Sequence, residues 1–194
     1  MSQLITIASN NAHKISEIAA VMPASFQWQS LLQAGISEDL PEPFETLEEN
    51  SFSKAFHIWH HYGLSCFSDD TGLEVEALDG KPGVHTAHFS GSRDATANMD
   101  ALLKALEGKA NRNAQFRTVA TLIIDGSTFS FEGIVKGTIA LEKAGTNGFG
   151  YDPIFIPEGY NQTFAQLPDE VKLAHSHRSK AIEKVVAFIN TIND

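Results

Sequence analysis

The pattern of apolar and polar positions predicts an α/β chain. Leu4 to Ala8 is a short apolar run and reads as a buried strand. The polar turn Ser9-Asn10-Asn11 follows, and a helix through about Val21 places Ile15, Ile18 and Ala19 on one face. Residues 36–46 are acidic, contain Pro41 and Pro43, and read as a loop. A helix starts at Thr46, with Glu49 closing a capping box, and Gly63 ends it. On that helix Phe52, Ala55, Phe56 and Trp59 repeat at helical spacing and are expected to face the core. Ser65 to Ser68 and Leu73 to Ala77 read as two strands, with Asp69-Asp70-Thr71-Gly72 at the break between them.

Farther along, Pro82 lies in the turn from Gly80 to Gly83, and a helix near 94–107 aligns Met99, Leu102, Leu103 and Leu106. Phe116 to Ile124 and Thr128 to Ala140 form a long hairpin about Asp125-Gly126. Gly145 to Gly150 is a glycine-rich loop. A last helix, about 178–192, buries Ile182, Val185, Val186 and Ile189. No repeat or linker interrupts the series, so residues 1–194 are expected to be one α/β domain with a mixed sheet.

Composition narrows the function classes. The formal net charge of −10 disfavours binding to a nucleic-acid backbone. Met1 to Ser9 has neither a basic head nor a long apolar run, so no signal peptide or membrane helix is expected. Cys66 is the single cysteine and can form no intrachain disulfide, which fits a reducing, cytoplasmic setting.

Three groups of residues carry candidate chemistry. Asp69 and Asp70 are acids at the end of an apolar strand, a common ligand position in α/β folds. With Glu42 they offer the oxygen ligands that Mg²⁺ takes. Lys14, just after the first turn, could meet a phosphate together with helix N–H groups. Lys54, Lys172 and Arg178 are further cations suited to phosphate or base oxygens. In the stretch Gly145-Thr146-Asn147-Gly148-Phe149-Gly150-Tyr151-Asp152-Pro153, glycines allow close backbone approach to a ligand. Its aromatics either pack in the core or stack on a base. No P-loop, zinc-protease or nucleophile-elbow motif is present. His57, His60 and His61 share a helix without evident acid partners and read as solvated or packed.

Taken in order, six segments resemble the inosine triphosphate pyrophosphatase family. They are residues 8–14 (ASNNAHK), 49–55 (ENSFSKA), 68–73 (SDDTGL), 80–83 (GKPG), 148–155 (GFGYDPIF) and 176–178 (SHR). The resemblance implies an elongated mixed-sheet α/β fold whose two lobes flank a central nucleotide cleft. It also implies a homodimer and Mg²⁺-dependent hydrolysis of ITP, dITP and XTP to the monophosphate and pyrophosphate. In that scheme Glu42, Asp69 and Asp70 bind metal, and Asp70 is the general base. Ser9, Asn10, Asn11, Lys14, Lys54, Thr71 and Lys172 contact phosphates or ribose. Phe149, in the loop with Gly150 and Tyr151, stacks on the purine, whose edge Asp152, His177 and Arg178 read. Departures from the family pattern are Asn10 for Gly in the first turn, Thr71 for Ser, His88 for Arg and Gln166 for Glu. A pyrophosphatase for pyrimidine nucleotides and a nucleotide-binding regulator without hydrolysis are the competing readings.

Overall fold

A computed structural model describes residues 4–23 and 26–193, the last by its backbone only. Met1 to Gln3, part of the segment read above for a signal peptide, lie outside the described residues. The chain divides into two compact units. The first comprises residues 1–70, 118–133 and 178–194, the second residues 71–117 and 134–177.

The elements in chain order are β1 (Ile5–Ile7), α1 (Ala12–Val21), β2 (Trp28–Ser30), α2 (Leu47–Tyr62), β3 (Cys66–Val75), β4 (Pro82–Gly83), α3 (Ala95–Ala105), β5 (Asn113–Ile124), β6 (Ser127–Ile139), β7 (Phe155–Pro157), α4 (Asp169–His175) and α5 (His177–Asn193). Strand order is β2-β1-β3-β5-β6-β7, with β4 paired to β3. The sheet is mixed, as expected: β1 runs parallel to β2 and β3, whereas β3–β4 and β6–β7 are antiparallel.

In the first unit, Ile5, Ile7, Ile18, Phe67, Leu122, Ile182, Val185 and Ile189 form one apolar cluster. Leu31, Ile36, Ala55, Ile58, Cys66 and Ile123 form another. The second unit is built on Leu73, Val75, Leu102, Leu106, Phe116, Ile154, Phe155 and Phe164. The hairpin turns where the sequence places it: Asp125 and Gly126 have φ of 48° and 81°, the paired positive values of a two-residue turn matched to strand twist.

Two expectations are corrected. β3 runs unbroken from Cys66 to Val75, so Asp69 and Asp70 sit within a strand rather than at its end. The acids are tolerated there because cations meet both, as described below. Gly72 keeps the strand close to β4: a Cβ on it would lie 2.8 Å from the Gly83 carbonyl oxygen.

The second correction concerns α2. Thr46 caps it, accepting at Oγ1 from Glu49 N at 3.2 Å and donating from that hydroxyl to Glu49 Oε2 at 2.7 Å, and the helix ends at Gly63. However, Phe52 and Phe56 are exposed, while Leu47, Asn50, Ser51, Lys54, Ala55 and Ile58 are buried. Polar residues with fixed partners claim the inner face. Asn50 bonds both backbone groups of Phe44, and Ser51 bonds Thr121 Oγ1 at 2.9 Å. Phe52 and Phe56 stack on one another instead, ring centres 5.5 Å apart.

Candidate active site

In the first unit, β1 delivers the chain into the turn Ser9-Asn10-Asn11. Ser9 Oγ accepts from Asn11 N at 3.2 Å. Asn11 caps α1, its Oδ1 accepting from His13 N at 3.0 Å and Lys14 N at 3.2 Å. The cap fixes the helix start and sends the Lys14 side chain toward β3. There Lys14 Nζ lies 3.2 Å from Asp69 Oδ2 and donates to the Asp69 carbonyl at 3.3 Å.

Asp69 also accepts from Arg178 Nε at 3.1 Å, and Arg178 Nη1 donates to Glu17 Oε2. Asp69 is 2% exposed and Arg178 1%, so the centre of this chain of alternating charges is closed to solvent, while Lys14 and Glu17 at its ends are partly exposed. Burial opposes ionisation of Asp69, but Lys14 and Arg178 outweigh it and hold the carboxyl well below the usual range. Burial likewise opposes the Arg178 charge, and Asp69 with Glu17 overcomes it.

Asp70, next along β3, meets a different environment. Lys54 Nζ stands 3.2 Å from Asp70 Oδ1 and also donates to Glu42 Oε1. Burial raises the Asp70 pKa, and the nearby lysines offset this only in part. For Lys54 the opposite holds: desolvation is outweighed by Asp70 and Glu42, and its pKa rises. Lys14, more strongly desolvated, has its pKa lowered despite Asp69.

Of the three acids expected to hold a hard cation, Glu42 and Asp70 converge on Lys54, while Asp69 faces Lys14 and Arg178. Among the described residues, no three His, Cys, Asp or Glu side chains are gathered as a ready cage. Mg²⁺ uses one or two carboxylates and takes its other ligands from phosphate and water, and the Glu42 and Asp70 pair about Lys54 can supply those carboxylates. The donor set therefore fits Mg²⁺, and the Lys54 ammonium marks a place between two of its carboxylates where positive charge is welcome.

In the second unit the glycine-rich loop folds around Asp152. Asp152 Oδ2 accepts from Phe149 N at 2.7 Å and from Lys172 Nζ at 2.8 Å. Gly148 has φ of +76°, and a Cβ there would lie 2.2 Å from Asp152 Oδ2, so the loop closes only with glycine. The two aromatics differ in burial. Tyr151 is buried and donates to the Thr86 carbonyl at 3.0 Å, whereas Phe149 is only partly buried. Lys172 Nζ lies 4.7 Å from the centre of the Phe149 ring. His177 stacks on Phe116, ring centres 4.9 Å apart. Gly150 has positive φ, and Thr71 is partly buried on β3.

Some partners differ from those the sequence suggests. Lys172, assigned to the triphosphate, is gathered with Asp152 and Phe149. Arg178, assigned to the base edge, is engaged with Asp69 and Glu17. Glu17 joins the cluster through Arg178, and the only sign of this in the sequence is its place three residues after Lys14, which puts both on one helix face. His57 does have an acid partner, Glu38 Oε1 at 2.9 Å from Nε2.

The fold is that of a mixed α/β protein whose first unit carries a charge-balanced acid pair and whose second unit carries a glycine-closed aromatic loop. The chain belongs to the Ham1 family, whose model matches residues 5–188. It is 49% identical over 186 residues to a dITP/XTP pyrophosphatase of Flavobacterium johnsoniae, covering 95% of this chain and 97% of the relative. A dITP/XTP pyrophosphatase of Porphyromonas gingivalis is 46% identical, with 97% of this chain and 98% of the relative covered. Among solved structures, the Ham1 protein of Staphylococcus aureus superposes with a TM-score of 0.89 at 37% identity, covering 97% of this chain and 99% of that one. A HAM1 protein from Coxiella burnetii gives 0.90 at 31% identity, with the same coverage.

Proposed function

We propose that this chain is a nucleoside triphosphate pyrophosphatase. It hydrolyses dITP, XTP and ITP, with Mg²⁺, to the monophosphate and pyrophosphate and so clears deaminated purines from the nucleotide pool. The observation that carries the mechanism is the opposite tuning of Asp69 and Asp70. Paired titratable groups pushed apart in pKa divide acid–base labour. Kinship with proteins named dITP/XTP pyrophosphatase supplies the substrate class.

Glu42, Asp69 and Asp70 would hold Mg²⁺, which when bound neutralises phosphate charge and polarises the phosphoryl group under attack. Asp70, whose carboxylate gains a proton more readily than an ordinary aspartate, accepts the proton from the attacking water. A bond forms from that water oxygen to the α-phosphorus while the bond to the bridging oxygen breaks, and pyrophosphate leaves. Lys14, at the positive end of the α1 dipole, offers positive charge to the phosphates. Asp69 stays ionised throughout, fixed by Lys14 and Arg178.

Phe149 presents a ring face to the purine. Lys172, beside it, can donate to a 6-oxo oxygen, whereas the 6-amino group of adenine cannot accept. A buried donor left unpaired costs about 1–3 kcal/mol, enough for about tenfold or greater preference. We place the enzyme in the cytoplasm as a homodimer, with residues 1–194 acting as one catalytic domain. No helix among the described residues is long and apolar enough to cross a membrane.

The test is release of pyrophosphate and monophosphate from ITP, XTP, dITP, ATP, GTP and dTTP, with and without Mg²⁺. Mg²⁺-dependent release from the 6-oxo non-standard purines, with little from ATP, is the expected result. Release chiefly from pyrimidine nucleotides overturns the substrate, and no release overturns the activity. Light scattering after size exclusion gives the oligomeric state.

A further inference from the structure

Asn10 stands in the phosphate turn, and its side chain is turned onto the protein itself: Nδ2 donates to the Glu38 carbonyl at 3.1 Å. The segment that receives this bond is the acidic loop 36–46, which carries Glu42. Elsewhere that loop is fastened to α2. Glu38 Oε1 accepts from Tyr62 Oη at 2.6 Å and lies 2.9 Å from His57 Nε2. Glu42 pairs with Lys54, and the Asn50 side chain bonds Phe44 N and Phe44 O, each at 2.9 Å. These bonds fix the loop to one helix. The Asn10 bond is of another kind, because it joins the loop to the turn that opens α1. A glycine at position 10 would have no donor to make it.

We propose that Asn10 is a positioning residue for Glu42, clasping the metal-binding loop to the phosphate turn so that metal affinity, rather than nucleotide affinity, depends on it. The inference rests on the reading of Glu42 as a Mg²⁺ ligand. Glu42 is exposed on a loop with two prolines, and its carboxylate reaches Lys54 from a backbone held on the far side by the Asn50–Phe44 bonds. The Glu38 peptide, four residues before it, is the held point on the near side. Through Glu38 the clasp continues to His57 and Tyr62, so the turn, the loop and the last turns of α2 are tied together at one residue.

The test compares wild type with Asn10→Ala and Asn10→Gly, and uses Tyr62→Phe as a second variant that loosens Glu38 from the α2 side. Two readouts are taken. The first is amide hydrogen exchange of residues 36–46 in the metal-free, nucleotide-free protein. The second is the Mg²⁺ concentration for half-maximal hydrolysis of ITP, together with KM for ITP at saturating Mg²⁺. Loss of one hydrogen bond should speed exchange in the loop by about three- to tenfold and raise the half-saturating Mg²⁺ by a similar factor, with KM unchanged. Tyr62→Phe should move both readouts the same way. A raised KM with wild-type exchange and wild-type Mg²⁺ dependence would make Asn10 a nucleotide contact and overturn the clasp. Wild-type behaviour in every readout would overturn it too. If even the wild-type protein hydrolyses no triphosphate, the enzymatic reading falls, while the exchange comparison still decides whether Asn10 holds the loop.

Discussion

Asp69 and Asp70 are neighbours on β3 whose acidities are driven in opposite directions. Successive side chains of a strand point to opposite faces. Asp69 is thereby turned to Lys14 and Arg178, and Asp70 to Lys54. One carboxylate is locked in its charged form, and the other is left able to take up a proton.

Asp70→Asn should abolish turnover, lowering kcat by about 100-fold or more, the usual range for loss of a general base. The melting temperature at pH 7 should hold or rise, because the ionised form of Asp70 is disfavoured by burial. Near-normal turnover would remove Asp70 as the base.

Asp69→Asn should destabilise the metal-free protein by about 3–5 kcal/mol at pH 7, since it leaves buried cations without their shared anion. A carboxyl whose folded pKa lies below its unfolded one lends stability above the unfolded value and loses it as pH falls toward the folded one. The gap between wild type and variant should therefore narrow as pH drops below 3.8. Thermal melts in EDTA across that range are the check, and a gap independent of pH would contradict the ion-pair account.

Phe149→Ala should raise KM for ITP about fivefold or more, if the ring stacks on the base. The ring also lies against Lys172, so a melt accompanies the kinetics. An unchanged KM with a lowered melting temperature would assign Phe149 to packing alone.

Arg178→Ala should cost about 3–5 kcal/mol of stability by stranding Asp69 and Glu17. It should also narrow the preference for ITP over ATP, if the arginine contributes to base reading as the sequence suggests. A large loss of stability with an unaltered ratio would leave Arg178 as a support for Asp69 only.

What the sequence reveals and what it hides divide along chain separation. The helix cap at Thr46 and Glu49, the hairpin at Asp125-Gly126 and the glycine-closed loop about Asp152 are local, set by residues a few positions apart. The mixed sheet likewise follows from the order of apolar runs. Hidden are contacts made by distant segments. Arg178 reaches back 109 positions to Asp69 and 161 to Glu17, and no periodicity reports such a bond. The buried face of α2 is misread for a related reason. Lys54 and Ser51 look like surface residues until β3 supplies their partners, so the apolar stripe of Phe52 and Phe56 draws the eye instead. β2, β7 and α4 are too short for a pattern of their own.

The span from Asp69 to Arg178 also orders events during synthesis. Glu17 and Asp69 leave the ribosome as two acids with Lys14 for company, and the guanidinium that joins them emerges only with the final helix. Until then the first unit lacks its third segment, and burying Asp69 would strand charge at a cost of several kcal/mol. Completion of the acidic centre therefore waits on the synthesis of α5, and a nascent polypeptide cut short before α5 should carry the acids without the power to use them.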